Sequence, residues 1–173
     1  MNVKQKIISR IFDNPSRKFY IRELAREIHV NPNSVLNALE ELEKESLVKR
    51  EVKKHIVEIT PNLENPHFLA KKRLHNLEKV YDSGVIDFLR KHYNPKAIIL
   101  FGSYSRGEDV LKSDIDIAVV TSEKYSVSTK IFEKMLNRGI HILLVQNGKI
   151  PKELYTNLIN GVVLFGYLDY ETF

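Results

Sequence analysis

Residues 101–120 read FGSYSRGEDVLKSDIDIAVV, and this stretch is the most informative part of the sequence about the fold of the second half of the chain. It begins with the pair Gly102-Ser103 at the end of one apolar run and carries Asp114 and Asp116 into the next apolar run. Residues two apart on a strand project from the same face, so the two carboxylates are predicted to lie side by side. Neighbouring carboxylates repel each other unless a cation lies between them. The pattern therefore indicates a cation site.

The two parts of this stretch suit one chemistry. A turn that leads from a strand through Gly-Ser into a helix presents backbone N–H groups to a phosphate, and its glycine lets the phosphate come close. Mg²⁺ prefers one or two carboxylates together with phosphate oxygens. We therefore predict a metal-dependent nucleotide site in which Asp114 and Asp116 bind the metal. The alternative is that the two aspartates cap a turn or accept surface hydrogen bonds.

The sequence around this stretch predicts an α/β fold for residues 95–173. Four apolar runs indicate strands that are buried on both faces, and amphipathic segments lie between the later runs. The predicted strands are residues 97–101, 115–120, 140–145 and 162–165, and the predicted helices are residues 129–137 and 151–160. A mixed sheet flanked by helices is the expected architecture.

Residues 1–62 predict a different arrangement. Apolar residues at helical spacing indicate three helices, and the third begins at Asn31-Pro32, an N-cap residue followed by proline at the first helical position. Two short strands follow, joined by the basic turn Lys53-Lys54. Helix, helix, turn, helix and hairpin in this order are the layout of a winged helix-turn-helix. The expected fold class of the whole chain is therefore α/β (α+β) with two domains.

Residues 63–94 lie between these domains and are again helical in pattern. We expect a helical connector with an interruption at Ser83-Gly84, because glycine and a turn-forming residue disfavour a continuous helix. Pairing of this segment with a second copy of the chain, which would give a homodimer, is the alternative role.

The N-terminal domain has features of a DNA-binding protein. In helix-turn-helix proteins the start of the recognition helix reaches the edges of bases, and here that position holds Asn33, Ser34 and Asn37. Asparagine pairs bidentately with adenine. The basic residues expected to contact phosphates are Arg22, Lys53 and Lys54. Duplex DNA is therefore an expected partner; contact with another protein is the alternative, because four glutamates make the end of the same helix acidic.

Composition narrows the class of protein. Residues 1–95 carry 18 Lys and Arg against 13 Asp and Glu, whereas residues 96–173 carry nine of each, so the net charge of +5 lies in the first 95 residues. Such an excess suits a polyanionic partner. The chain has no cysteine, which excludes disulfides and thiolate metal sites. No apolar run reaches the roughly 18 residues of a membrane span, so we expect a cytoplasmic protein without a membrane partner.

The spacing GS-x-x-x-G at residues 102–107, followed by SD-x-D at residues 113–116, resembles the hallmark of the polymerase-beta-type nucleotidyltransferases, particularly the minimal nucleotidyltransferases. The resemblance covers residues 96–168. The N-terminal part is similar to archaeal proteins that join a winged helix-turn-helix to such a domain.

This resemblance implies a role for each residue of the motif. Gly102 and Ser103 would hold the phosphates of a nucleotide. Gly107, the second glycine of the motif, is also expected to bind the nucleotide. Arg106 is not a motif residue, but its place in the first helical turn after Gly-Ser lets it reach a phosphate; the alternative is that it is an exposed arginine without a role there. Asp114 and Asp116 would bind Mg²⁺ ions that align an attacking hydroxyl group with the α-phosphate.

One position departs from the family pattern. Active members carry a third carboxylate on the next strand, where it binds the catalytic metal and helps to activate the nucleophile, and here that position falls to His141. Neutral imidazole is a poor ligand for Mg²⁺ but accepts a proton. The alternative is a different strand alignment, which would make His141 a plain strand-end histidine.

The function implied is Mg²⁺-dependent transfer of a nucleotidyl group from a nucleoside triphosphate, with ATP expected, to a hydroxyl group of a protein or a small molecule. Related minimal nucleotidyltransferases act as antitoxins that modify a partner toxin, so a toxin-like protein is one expected acceptor. The alternative is a transcriptional regulator whose C-terminal domain binds a nucleotide without turning it over. His141 favours this alternative, whereas the intact Gly-Ser and Asp-x-Asp elements favour the enzyme.

Overall fold

The computed structural model describes residues 1–53, 56–146 and 150–169. The chain forms two compact units, Met1–His75 and Asn76–Phe173. The division falls inside helix α4 (Pro66–Asp82), so the segment predicted to be a connector contributes residues to both units. Lys54 of the predicted wing lies outside the described residues.

The first unit consists of helices and a small antiparallel sheet. Its helices, besides the start of α4, are α1 (Val3–Asp13), α2 (Ile21–Glu27) and α3 (Pro32–Lys44), and its strands are β1 (Phe19–Tyr20), β2 (Val48–Lys53) and β3 (Ile56–Pro61). The strands lie in the order β1-β3-β2, and both pairs are antiparallel. The predicted three helices and hairpin are confirmed in the described residues.

Helix α3 begins where the sequence predicts. The side chain of Asn31 accepts a hydrogen bond from the backbone N–H of Ser34 at 2.8 Å, and Pro32 occupies the first helical position. The N-cap hydrogen bond satisfies one of the N–H groups that have no partner within the helix. Val35 and Leu39 are buried in the core of this unit, which fixes the face that α3 turns inward.

The predicted helix interruption at Ser83-Gly84 is confirmed. Helix α4 ends at Asp82 and helix α5 (Val85–Tyr93) follows. The hydroxyl of Ser83 donates to the carbonyl of Val80 at 2.7 Å and accepts from the N–H of Val85 at 3.2 Å. Ser83 thereby caps the end of one helix and the start of the next.

The second unit is built on a mixed four-stranded sheet, as predicted. Its strands are β4 (Ala97–Phe101), β5 (Ile115–Val120), β6 (Ile140–Val145) and β7 (Val162–Gly166), and its further helices are α6 (Gly102–Arg106), α7 (Lys130–Leu136) and α8 (Lys152–Ile159). The strand order is β6-β5-β4-β7. β5 is parallel to β6, whereas β4 is antiparallel to both of its neighbours. None of the helices within the described residues is long and apolar enough to cross a lipid bilayer.

The sheet has a core on each face. All five residues of β4 are buried, and alternate residues belong to two separate clusters: Ile98 and Leu100 to one, Ile99 and Phe101 to the other. Because β5 is antiparallel to β4 and parallel to β6, the end of β4 lies beside the starts of β5 and β6. The pairing of these three strands therefore brings the two halves of the 101–120 stretch together at one edge.

Candidate active site

The candidate active site lies where β4 ends and where β5 and β6 begin. Phe101, the last residue of β4, is opposite Asp116 on β5, and Asp116 is opposite His141 on β6. Residues directly opposite each other on neighbouring strands project from the same face. Gly102 follows Phe101 in the chain. The Gly-Ser element, the second aspartate and His141 therefore meet at one place.

Gly102 and Asp116 are in direct contact. The backbone of Gly102 has φ +72, in the left-handed region, which costs a residue with a side chain about 1–2 kcal/mol. A Cβ added at Gly102 would overlap Oδ2 of Asp116 and lie 3.3 Å from its Cγ. The carboxylate of Asp116 thus rests against the Cα of Gly102, and both the backbone and the carboxylate require glycine at this position.

Asp114 lies directly before strand β5, which begins at Ile115 as predicted, and its side chain is exposed. A Cβ added at Gly139 would overlap Oδ1 of Asp114, so this carboxylate rests against the residue that precedes β6. The N–H of Ile115 donates to the carbonyl of Gly139 at 2.9 Å, so the hydrogen bonds between these two segments begin right after Asp114. That both aspartates project from one face stays a prediction.

The donor set fits a magnesium ion whose coordination is completed by phosphate oxygens. Among the residues that the structure describes, no three His, Cys, Asp or Glu side chains form a cage for a metal. Mg²⁺ does not need such a cage, because one or two carboxylates with phosphate and water oxygens satisfy it. Asp114 is exposed and the side chain of Asp116 is 30% exposed. Both carboxylates therefore remain accessible to a metal–nucleotide complex.

His141 lies beside Asp116. Its Nδ1 is 3.3 Å from Oδ1 of Asp116, and its side chain is 62% exposed. Asp116 thus directs one carboxylate oxygen at the imidazole and the other at Gly102. The two residues are opposite each other in the β5–β6 register, which is the alignment that the resemblance assumed.

The Gly-Ser element forms the first turn of helix α6. The first N–H groups of a helix have no acceptor within it, so the backbone of Gly102 and Ser103 offers donors beside Asp116. The buried hydroxyl of Ser105 donates to the carbonyl of Gly102 at 2.8 Å. This hydrogen bond fixes the turn.

The two other residues expected to bind the nucleotide lie farther along α6. Arg106 is exposed, and its Nε is 2.7 Å from Oε2 of the equally exposed Glu108. Gly107 ends the helix, and its N–H donates to the carbonyls of Ser103 and Tyr104. The structure therefore gives Arg106 a carboxylate partner and Gly107 a role in ending α6.

The sequence patterns missed a buried polar cluster next to the site. Asp109 and Arg138 have side chains only 1% and 6% exposed, and Nη2 of Arg138 is 3.2 Å from Oδ2 of Asp109. Nδ2 of Asn76 donates to Oδ1 of Asp109 at 2.7 Å and to the carbonyl of Tyr104 at 2.9 Å. These residues come from three distant segments, so no periodicity marks them. The sequence feature that points to this cluster is the position of Arg138 directly before Gly139, the glycine against which the carboxylate of Asp114 rests.

In the first unit, the residues expected to read bases lie at the start of α3. Asn33 and Asn37 are exposed and four residues apart, and Ser34 is half-buried. Residues four apart on a helix lie on the same face. Arg22 is exposed on α2. This group offers an accessible polar surface.

The basic residues that the structure describes in the β2–β3 hairpin, Lys49, Arg50 and Lys53, are ion-paired. Nζ of Lys53 lies 3.0 Å from Oε2 of Glu51 and 3.3 Å from Oε1 of Glu58, and the hydrogen bond to Glu51 raises the pKa of the lysine. Three more pairs follow the same pattern, namely Lys18 with Glu58, Lys49 with Glu64 and Arg50 with Glu43. Of the three cations predicted to contact phosphates, Lys53 is thus paired with carboxylates of the same unit, and the phosphate contacts stay a prediction.

Comparison with known proteins identifies the family of the second part of the chain. The family model described as Polymerase beta, Nucleotidyltransferase matches residues 84–168. A relative in Methanocaldococcus jannaschii, named as a candidate protein adenylyltransferase, is 33% identical over 94 residues, which cover 44% of this chain and 94% of the relative. No solved structure gives a significant match. The chain belongs to the polymerase beta nucleotidyltransferase family.

Proposed function

We propose that the protein transfers a nucleotidyl group from a nucleoside triphosphate, with ATP as the expected donor, to a hydroxyl group of a protein or small molecule in the presence of Mg²⁺. The observation that carries this proposal is the contact between Asp116 and Gly102. A metal held by this carboxylate adjoins a phosphate held by the Gly-Ser turn. The relative named for protein adenylylation supports ATP as the donor and a protein as the acceptor. A toxin-like partner is the expected acceptor if the protein acts as an antitoxin.

Each site residue has a distinct task in this proposal. The backbone N–H groups of Gly102 and Ser103 bind the triphosphate oxygens, because helix N-termini favour negative charge. Asp114 and Asp116 hold the metal. When bound, Mg²⁺ neutralises the charge of the triphosphate and polarises the α-phosphate.

The reaction is an exchange of one phosphorus–oxygen bond for another. The acceptor hydroxyl oxygen forms a bond to the α-phosphorus, the bond from that phosphorus to the oxygen bridging the β-phosphate breaks, and pyrophosphate leaves with the electron pair. The hydroxyl proton passes to a base. His141 suits this task because its Nδ1 faces Asp116, so the carboxylate orients the ring and the second ring nitrogen accepts the proton.

The same histidine supports an alternative function. Imidazole is a poor Mg²⁺ ligand, so a site with His141 opposite Asp116 holds fewer carboxylates than the active members of the family that the sequence resembles. A domain that binds a nucleotide without turnover would make the protein a nucleotide-sensing transcriptional regulator.

Transfer of an isotopic label separates these functions. The protein is incubated with Mg²⁺, cell extract and ATP labelled at the α-phosphate, and matched reactions contain γ-labelled ATP or the Asp116→Asn variant. Nucleotidyl transfer leaves the α-label on an acceptor and releases the γ-label with pyrophosphate. An acceptor labelled only from the α-phosphate, and only by the wild type, is the expected result. Nucleotide binding without any labelled acceptor supports the regulator instead.

We further propose that the first unit is a winged helix-turn-helix that contacts duplex DNA through the start of α3. The supporting observation is the exposed pair Asn33 and Asn37 on one face of that helix. A titration of labelled duplexes with the full chain at low salt tests this proposal, and absence of binding would leave protein contact as the role of this unit.

A further inference from the structure

We propose that Asp109, Arg138 and Asn76 form a positioning clamp for the loop that carries Asp114, and that this clamp sets the distance between Asp114 and the Gly-Ser turn. The inference rests on the proposed nucleotide site. The clamp acts through the loop that ends at Asp114 and through α6.

The clamp joins the loop at several points. Arg138 donates to the carbonyls of Val110 and Ser113, the latter at 3.3 Å, in addition to its ion pair with Asp109. Within the loop, the N–H of Ser113 donates to the carbonyl of Val110 at 2.9 Å, and the N–H of Val110 donates to the hydroxyl of Ser113 at 3.0 Å. One guanidinium therefore holds both ends of a closed turn, and Asp114 is the next residue after that turn.

The clamp also reaches both neighbours of the loop. Asn76 bridges Asp109 and the carbonyl of Tyr104, and Tyr104 lies in α6, two residues after Gly102. On the other side Arg138 is followed by Gly139, against which the carboxylate of Asp114 rests. Helix α6 and the segment Arg138-Gly139 are thus both connected to the same buried ion pair.

The energetics favour a positioning role. Burying two charges costs several kcal/mol per ion, so replacing a buried ion pair with apolar residues of similar volume is often neutral or stabilising. Removing only one partner is strongly destabilising, because it leaves a buried charge without compensation. Stability alone therefore does not account for a buried pair at this place, whereas its contacts with the carbonyls of Val110 and Ser113 fix the position of the loop. Loss of groups that orient metal ligands typically lowers metal affinity or activity about 10–100-fold.

The test replaces both charges together, with the double variant Asp109→Leu/Arg138→Met. We expect it to fold with a free energy of unfolding equal to or above that of Arg138→Met alone, and to bind ATP in Mg²⁺ at least about tenfold more weakly than the wild type. The matched control is Asp87→Leu/Arg90→Met, which removes an exposed ion pair of 3.1 Å in the same unit. The control is expected to bind like the wild type.

A folded double variant that binds like the control would overturn the proposal and leave the clamp a purely structural element. If the double variant does not fold, Asn76→Ala tests the proposal instead, because it keeps the ion pair and removes the bridge from Asp109 to α6. An affinity for ATP equal to that of the wild type in this variant also overturns the proposal. Asp114→Asn is measured in parallel. If Asp114→Asn binds ATP as tightly as the wild type, the proposed nucleotide site itself is wrong. If Asp114→Asn binds weakly and the clamp variants bind like the wild type, the site is retained and only the clamp is refuted.

Discussion

Three glycine-to-alanine variants separate the backbone requirement of the site from the requirement of its carboxylates. Gly102→Ala adds a methyl group at φ +72 and against Asp116. Gly84→Ala adds one at φ +78 with no atom within 4 Å. Gly139→Ala adds one against Asp114, where φ lies outside the left-handed range. Gly102→Ala thus introduces both backbone strain and a contact with a carboxylate, whereas Gly84→Ala introduces only the strain and Gly139→Ala only the contact.

The magnitudes follow from the geometry. The left-handed conformation costs about 1–2 kcal/mol in any residue with a Cβ, so Gly102→Ala and Gly84→Ala should lower the free energy of unfolding by similar amounts. At Gly102 the new Cβ would lie 3.3 Å from Cγ of Asp116, inside the roughly 3.5–4.0 Å of favourable carbon contact, with Oδ2 closer still. At Gly139 the distance to Cγ of Asp114 would be 3.2 Å. Each carboxylate must therefore turn away, and the exposure of Asp114 keeps the stability cost of that movement small.

Urea unfolding and calorimetric titration with ATP and Mg²⁺ measure the two effects. We expect Gly84→Ala to be destabilised but to bind like the wild type, and Gly139→Ala to be nearly as stable as the wild type but to bind weakly. Gly102→Ala should show both defects. If Gly102→Ala binds as tightly as Gly84→Ala, the reasoning that makes the Gly102–Asp116 contact part of the site is refuted.

Replacing His141 with aspartate is expected to raise nucleotidyl transfer, because a carboxylate binds Mg²⁺ better than imidazole does; a variant no faster than the wild type with α-labelled ATP contradicts this role of the position. In DNA binding, Asn33→Ala should reduce the preference for one sequence by about 1–3 kcal/mol, whereas Lys53→Ala should weaken binding to all duplexes alike. An anisotropy titration with specific and random duplexes measures both effects. If Asn33→Ala loses equal affinity for the two kinds of duplex, Asn33 does not contact a base. The hydrogen bond with Lys18 lowers the pKa of Glu58 from its ordinary value of 4.5, so this pair stabilises the folded protein above pH 4.5 and loses its contribution as the pH falls through the lowered pKa. Urea unfolding should therefore show a wild-type advantage over Glu58→Gln at neutral pH that disappears in acid, and an advantage that persists in acid opposes the argument.

Much of the second unit is predictable because its strands coincide with apolar runs, although only β4 and β5 are buried on both faces and the residues of β6 and β7 are largely half-buried or exposed. The run at residues 97–101 is entirely apolar and forms β4 over the same residues. The interruption at Ser83-Gly84 and the start of α3 at Asn31-Pro32 are local, since each depends on the chemistry of adjacent residues. The position of His141 opposite Asp116 follows once β5 and β6 are neighbours.

The rest depends on contacts between distant residues. Strand β5 begins at Ile115 as predicted, but no local pattern indicates that the carboxylate of Asp114 rests against Gly139, which lies on a distant segment. Asn76 and Arg138 lie 33 and 29 residues from Asp109, so no local pattern indicates that the aspartate is buried. In the same way, the sequence does not indicate the ion pair between Lys53 and Glu58, because the two residues lie on different strands of the hairpin.

The central claim is that Asp114 and Asp116 hold a metal against the phosphates of a nucleotide on Gly102 and Ser103. Calorimetric titration of ATP into the wild type and into Asp114→Asn, each with and without Mg²⁺, tests it most directly, because the substitution keeps the shape of the side chain and removes only its charge. We expect Mg²⁺-dependent binding in the wild type and an affinity at least about tenfold lower in Asp114→Asn, at unchanged fold stability. Equal affinities of the two proteins in Mg²⁺ would contradict it.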